Sequence, residues 1–465
     1  VIQCKKLFIN NKLLMKKTFF VLLISASVSW THGQSSAQEL PYGRILNPAG
    51  KQIYFGDSAL ENHALDCALS PDGKWLAVEE RYSVVFINTK KDKISYSLPF
   101  RNTKEIENAM STFSGIIWYS DGGEDYVLWS CADRLTGSFV LKASWNGSEA
   151  KIVQIIDFPA IAPALVAIPN ELLIRKESGR DYLYVVLNGN NQLVKLDMES
   201  SERIWTRTTG VAPYGITCAN DKIYVTNWGG RIPVESDQDV AGVPWGLMRI
   251  DPSTAASREG SVSVFDPVSG NLIKEIMVGL HPNEIISSPE GDYIYITNSN
   301  SDKVSVIHTA SDEISESISL RMNEEYNSYF GDSPNGIGLS GDGAVLFVTN
   351  GMDNAVAVIP LGRNASEIGT ADKSYIKGFI PTEAYPSSVV ISAKNKLYIT
   401  NLEASGSTLP VMEEGWKTPI YNSHVKLASI SVVKMPGEKK LQSYTNTVYA
   451  VNQLSRLKTA ETVFV

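Results

Sequence analysis

Cysteine and histidine are what this chain has least of, four and five among 465 residues. The cysteines form no CxxC pair and stand at no spacing from a histidine that suits zinc. A metal-stapled module or a disulfide framework is therefore excluded as the organising principle. Beyond the N-terminal region lie Cys67, Cys131 and Cys218. Cys67 and Cys218 sit in alternating apolar stretches and read as buried free thiols. A Cys67–Cys218 bridge is the lesser alternative, since nothing places the two within bridging distance. His63, His281, His308 and His424 are scattered, with no HExxH or HxxxH pair, and no GxSxG elbow is present. No catalytic residue and no metal ligand is assigned on this basis, and no cofactor is expected.

Clustered positive charge is also missing. The chain has 42 basic and 50 acidic side chains, a formal net charge of −8. The first 33 residues contain lysines but no acids, so the remainder is more acidic still. Phosphate contacts need grouped Lys and Arg, which excludes a nucleic-acid partner. A long hydrophobic run is lacking too. The apolar stretch from Phe19 to Ile24 is too short to span a bilayer stably. Its setting, "MKKTFFVLLISASVSWTHG" from Met15, has two lysines before the apolar core and small residues near Gly33. That is the layout of a secretory signal peptide. The expected start is Met15, with residues 1–14 upstream of it and the mature N-terminus near Gln34. No cysteine follows for lipidation. The protein is expected to be exported, periplasmic or extracellular, with no transmembrane anchor after signal removal.

What is present is a repeat. "KIYVTN" ends at Asn227, "YIYITN" at Asn298, "VLFVTN" at Asn350 and "KLYITN" at Asn401, with a weaker "YLYVVLN" ending at Asn188. The spacing is about fifty residues with one longer interval, the signature of propeller blades. A proline and a short apolar strand precede each full copy, at Pro213, Pro282, Pro334 and Pro386. Tight turns such as "PEGD" and "GDGA" lie between, supplying the positive φ that hairpins need. Alternating third strands follow, as in "KVSVIHT" and "NAVAVIP". More degenerate inner strands are expected in "HALDCALSPDGKWLAV" (63–78), "FSGIIWYSDGGEDYVLWS" (113–130) and "ALVAIPN" (164–170). The expected fold is all-β, a seven-bladed β-propeller of four-stranded antiparallel blades over residues 42–436. The last blade lacks a fourth strand, and "GKQIYFGDS" (50–58) is expected to supply it and close the ring. Residues 437–465 follow as a helix and tail, with Leu441, Tyr444, Val448 and Val451 at helical spacing.

With "YVTN", "YITN" and "FVTN" in phase, the chain resembles the YVTN (YncE-like) seven-bladed β-propellers. "ILNPAGKQIYFGDSALENHALDCALSPDGKWLAV" and "LQSYTNTVYAVNQ" are similar to the propeller half of bacterial exported proteins that carry a phosphoesterase domain of the alkaline phosphatase type. The resemblance implies a non-catalytic binding or scaffold module, the N-terminal portion of such a protein. The second domain would begin beyond Val465, and residues 437–465 would form the linker. A stand-alone propeller is the alternative. The partner is then an unidentified small molecule, a polymer or the phosphoesterase domain itself. The competing class is a propeller enzyme of lactonase or lyase type, working at the channel mouth. Such lactonases need inward Asp, Glu and Asn ligands, and Glu284 is the main acid on the inner strands.

The repeated asparagines Asn227, Asn298, Asn350 and Asn401 read as fold geometry, because Asn tolerates left-handed backbone and bonds its own turn. The prolines read the same way. Residues beside the prolines differ between blades, as a site on a regular scaffold would: Tyr214, His281, Asn283, Asn335 and Tyr385. Two insertions, 228–260 in blade four and 402–426 in blade seven, are expected on the same face. They carry Trp228, Arg231, Trp245 and Arg249 in one and Trp416, Tyr421 and His424 in the other. Aromatic and Arg side chains are common interface anchors, but long loops also use them to pack on themselves. Trp228, Arg231, Trp245 and Trp416 therefore join the candidate ligand or docking residues.

Overall fold

The strands of a blade are buried on both faces because the blades stack face to face around a ring. Lys222–Asn227 shows how. Ile223 and Val225 turn back onto Tyr184 and Val186 of blade three. Tyr224, on the opposite face, packs with Ile285, Ile294 and Ile296 of blade five. The computed structural model describes residues 37–40, 43–133, 137–243, 246–322, 331–362, 373–406 and 426–453. Seven four-stranded antiparallel sheets form the blades. Their inner strands are Ala64–Leu69, Met110–Asp121, Pro169–Glu177, Pro213–Ala219, Pro282–Ser287, Pro334–Leu339 and Pro386–Ile391. One expectation is corrected. Blade three's inner strand is Pro169–Glu177, C-terminal to the stretch 164–170 assigned from hydrophobicity, because the strand opens on Pro169 as its neighbours open on theirs.

The ring closes as expected, with Lys51–Phe55 pairing along Ala428–Lys434 as the outer strand of blade seven. Ile53, Phe55 and Tyr398 of that blade share a core with Cys67, Leu76 and Val85 of blade one. The C-terminal helix Glu438–Val451 buries Leu441, Thr445 and Val448. Thr445 Oγ1 accepts the Phe379 amide at 2.9 Å, tying the helix to the outer strand of blade six. Among the described residues no helix is long and apolar enough to cross a membrane. Cys67, Cys131 and Cys218 are free thiols.

The repeated motif is a fastener between blades. Thr226 Oγ1 accepts the Gly215 amide of its own inner strand at 2.8 Å. It donates to the Asn283 carbonyl of blade five at 2.8 Å. Thr297 reaches Asn335 O at 2.6 Å, and Ser130 does the same to Asn170 O at 2.6 Å. In blade seven Ser387 makes the link, its Oγ donating to Ala64 O of blade one at 2.6 Å and lying 2.8 Å from Thr400 Oγ1. The tyrosine and lysine of the motif act at the outer end. Lys222 Nζ and Tyr224 OH converge on Asp312, each at 2.6 Å. Lys396 and Tyr398 reach Asp92 of blade one in the same way.

The motif asparagines are structural, for a reason other than the one expected. None of them has a positive φ. Each is fully buried at the end of its strand, and at Asn227, Asn298 and Asn401 the amide ties the second strand to the third, while the Asn350 amide donates to Leu320 O and Asp353. Asn227 Nδ2 donates to Ser263 Oγ at 2.9 Å, and Asn401 Nδ2 to Ser431 Oγ at 2.9 Å. In the repeat, left-handed backbone falls instead on the residue before each inner-strand proline: Ile168, Ala212, His281, Ser333 and Tyr385.

Thr226→Val keeps the shape of the fastener but strands two buried backbone groups. It is expected to cost about 1–3 kcal/mol, read as a lower urea midpoint at unchanged slope. A midpoint within error of wild type would remove the fastening role.

Candidate functional site

Each inner strand begins with a register shift. Pro213 pairs with Asn227 but the next paired residue is Ile216, and the same skip follows Pro169, Pro282, Pro334 and Pro386. The two unpaired residues after the proline are thereby turned toward the central channel, which is the usual effect of a bulge on a side chain's aim. This local geometry brings most of the sequence-selected residues together at the channel mouth.

Trp228, the first residue after its strand, lies between two rings. Its centroid is 5.0 Å from that of Tyr214 and 4.5 Å from that of His281, both stacked. Trp228 Nε1 donates to Asn283 Oδ1 at 2.7 Å. Asn283 Nδ2 donates to Asn335 Oδ1 at 2.7 Å and to Ser299 Oγ at 2.6 Å. His281 Nδ1 lies 3.1 Å from Asn283 Oδ1. Burial, opposed by the contact with Asn283, lowers the His281 pKa and keeps the ring neutral. Asn335 Nδ2 has no hydrogen-bond partner. Tyr385 continues the row, its hydroxyl 3.2 Å from Ser333 Oγ. An aromatic and amide row thus runs from blade four to the edge of blade seven.

Arg231 does not join it. Its guanidinium forms a two-pronged pair with Asp237 at 2.7 and 2.8 Å. Arg249 binds Glu259 at 2.7 Å. Both arginines fasten the insertion to itself. Trp245 and Trp416 lie outside the described residues, as do Tyr421 and His424.

Three further side chains belong to the mouth and were not selected from sequence. Phe113 of blade two, 45% exposed, crosses to Trp228 with centroids 5.4 Å apart. His63 and Arg81 flank a cavity of about 470 Å³ that Leu65, Phe113, Ile168 and Leu402 also line. Glu61 holds both, with His63 Nε2 at 3.2 Å and Arg81 at 2.6 Å. Burial, and then Lys426, lowers the His63 pKa. Larger recesses of about 710 and 590 Å³ open among the outer strands, away from these converging polar groups.

Beneath the mouth lie carboxylates. Asp66, Glu171 and Glu284 come from the inner strands of blades one, three and five, and Glu79 pairs across from Asp66 on the second strand of blade one. Burial raises the pKa of all four, and Glu79, Glu171 and Glu284 are raised further by neighbouring carboxylates. The sequence carried a signal for Glu171: "PNE" at 169–171 repeats "PNE" at 282–284. Among the described residues, no three His, Cys, Asp or Glu side chains group as a metal site.

No family model matches the chain, and no curated protein matches it. Solved structures do. A structure of hydrazine synthase from Kuenenia stuttgartiensis is 16% identical, covering 74% of this chain and 93% of that one, with a TM-score of 0.53. The structure of U3-55K is 10% identical, covering 82% and 98%, with a TM-score of 0.54. The Cps50 (Swd1) β-propeller domain of Myceliophteria thermophila is 11% identical, covering 82% and 98%, with a TM-score of 0.50. Identities this low show a shared propeller fold alone.

The buried acids make stability depend on pH. A folded-state pKa above the ordinary 4.5 means that the native protein holds a proton the unfolded chain releases. Stability then falls as pH rises from about 4.5 toward the raised value. Glu79→Gln removes this term, so it is expected to raise the urea midpoint at pH 8 and to lose that advantage near pH 4. An equal or lower midpoint at pH 8 would contradict the assignment.

Proposed function

We propose that this chain is a non-catalytic, ligand-binding β-propeller of the YVTN (YncE-like) kind. It takes a small molecule, or a protruding group of a larger one, at the channel mouth. The observation that carries this reading is the row Trp228–Asn283–Asn335, fixed in place by the stack of Tyr214, Trp228 and His281. A rigid aromatic wall braced by a row of bonded amides is pre-organised, so little ordering entropy opposes binding. The adjoining apolar cavity offers volume for a ligand body. Export after removal of residues 1–33 and attachment to a phosphoesterase domain complete the proposal. The N-terminal "MKKTFFVLLISASVSW" supports the first, and the stretches "ILNPAGKQIYFGDSALENHALDCALSPDGKWLAV" and "LQSYTNTVYAVNQ" support the second.

A hydrolase or lyase working at the same mouth is the second reading. The observation in its favour is His63, a neutral imidazole oriented by Glu61. Against it, the free nitrogen Nδ1 is buried, and a base must reach the proton it removes. Binding is the better-supported reading.

Thermal-shift screening against a metabolite panel tests it. Compounds that stabilise the wild type are expected to bind Phe113→Ala about tenfold more weakly, about 1.4 kcal/mol, while the unliganded melting temperature stays close to wild type. Ligand shifts indifferent to Phe113→Ala and Asn335→Ala would place binding elsewhere. For export, expression of the whole chain in a bacterium should yield a periplasmic protein beginning near Gln34 by N-terminal sequencing. Retention of residues 15–33 on a cytoplasmic product would refute that part.

A further inference from the structure

We infer that the channel throat below the mouth binds the ammonium group of an organic amine whose apolar or aromatic body rests against Phe113 and Trp228. This inference rests on the mouth being a ligand site and names the ligand class.

Three observations carry it. The first is the pattern of side chains at the second bulged position. Glu171 and Glu284 occupy it in blades three and five, and Gly215, Gly336 and Ser388 in blades four, six and seven; in blade one, where only Leu65 is skipped, Asp66 follows the bulge and pairs with Glu79. Gly115 stands in the bulge of blade two. At Gly115, Gly215 and Gly336 a Cβ would come within 2.1, 2.8 and 2.4 Å of the next blade's Asn170, Asn283 and Ser387 carbonyls. Those blades therefore pass the throat to the carboxylates of their neighbours.

The second observation is charge without a counter-charge. Asp66 accepts the Cys67 amide at 2.7 Å and the Gly115 amide at 3.2 Å, and Glu284 accepts the Ile337 amide at 3.0 Å. Ser388 faces Asp66 and Ser114 faces Glu171, while the Tyr214 hydroxyl lies near Glu284, Ser114 and Glu171. The charges acting on Glu79, Glu171 and Glu284 are other carboxylates, with no lysine or arginine among them. Glu171 and Glu284 are half-buried and so keep some contact with solvent. Buried carboxylates of one sign take up protons or a cation.

The third observation is unspent hydrogen-bonding capacity. Ser114 Oγ, 5% exposed, lies against Glu171 and Tyr214 without a well-formed hydrogen bond. Both oxygens of Glu79, fully buried beside Asp66 and near Ser111, also make no well-formed hydrogen bond. An ammonium carries three donors, and the aromatic ring of Tyr214 joins the throat to the mouth. Cations are further favoured by ring faces.

Phenethylamine and its neutral isostere 2-phenylethanol distinguish the outcomes by isothermal titration calorimetry at pH 7.5 in buffers of different ionisation enthalpy. Since burial holds protons on the acids, binding of phenethylammonium is expected to release protons, and 2-phenylethanol to bind at least tenfold more weakly without release. The Glu171→Gln/Glu284→Gln variant is expected to lose about tenfold or more in phenethylamine affinity together with the proton release. Equal affinity for amine and alcohol would overturn the ammonium inference and leave the mouth as a ligand site. Amine binding unchanged in the variant, or no amine binding by wild type, would overturn it as well. If the variant does not fold, proton release by wild type decides.

Discussion

One hydrogen bond organises this ring: the hydroxyl of a second-strand threonine or serine given to the first bulged carbonyl of the next blade's inner strand. Thr226, Thr297 and Ser130 make it directly. It is needed because the bulge breaks the sheet ladder, and a buried carbonyl without a donor is costly. Apolar stacking holds the blades face to face but is indifferent to small slides along the strands. The hydroxyl sets the level at which one blade meets the next. At the outer end, Lys222 and Tyr224 on Asp312, and Lys396 and Tyr398 on Asp92, set it again. The second of these pairs joins blade seven to blade one, where two distant parts of the chain meet.

The same bulge that demands the bond also builds the site. It frees two residues per blade from pairing and turns them inward. The first position supplies Tyr214, Asn283 and Asn335, and their amides and rings bond to one another and to Trp228. The second supplies alternating acids and small residues. The left-handed residue before each proline adds His281 and Tyr385. Non-glycine residues held there carry strain, and such positions recur at functional sites. The mouth is consequently rigid and self-bonded, whereas the throat holds carboxylates that are electrostatically opposed. Stability is thus given up locally in the throat and supplied by the apolar seams between blades.

Much of the fold is legible in the residues alone. The motif ending at Asn227, Asn298, Asn350 and Asn401 marks second strands, and the prolines mark the inner strands that precede them. Even the closing strand could be inferred, since a ring with one strand missing needs its partner from the other terminus. The error at blade three has a simple cause. "ALVAIPN" is apolar enough to pass for a strand, but the left-handed Ile168 before Pro169 ends it. The asparagines read as structural from sequence, yet the bonds of Asn227, Asn298 and Asn401 to third-strand serines are not legible there, because no sequence rule pairs Asn227 with Ser263.

The sequence by itself determined the blade, its number of copies and the face on which variable residues gather, because each depends on patterns within about fifty residues. Tertiary structure alone decided which of those residues meet. Arg231 turned into its own loop, held by Asp237. Phe113 arrived at Trp228 from two blades away. Asp66 and Glu284, far apart in the chain, came to share one throat. Closure of the ring brings distant segments to the same radius, and only the bulge register tells which side chain of each segment points inward.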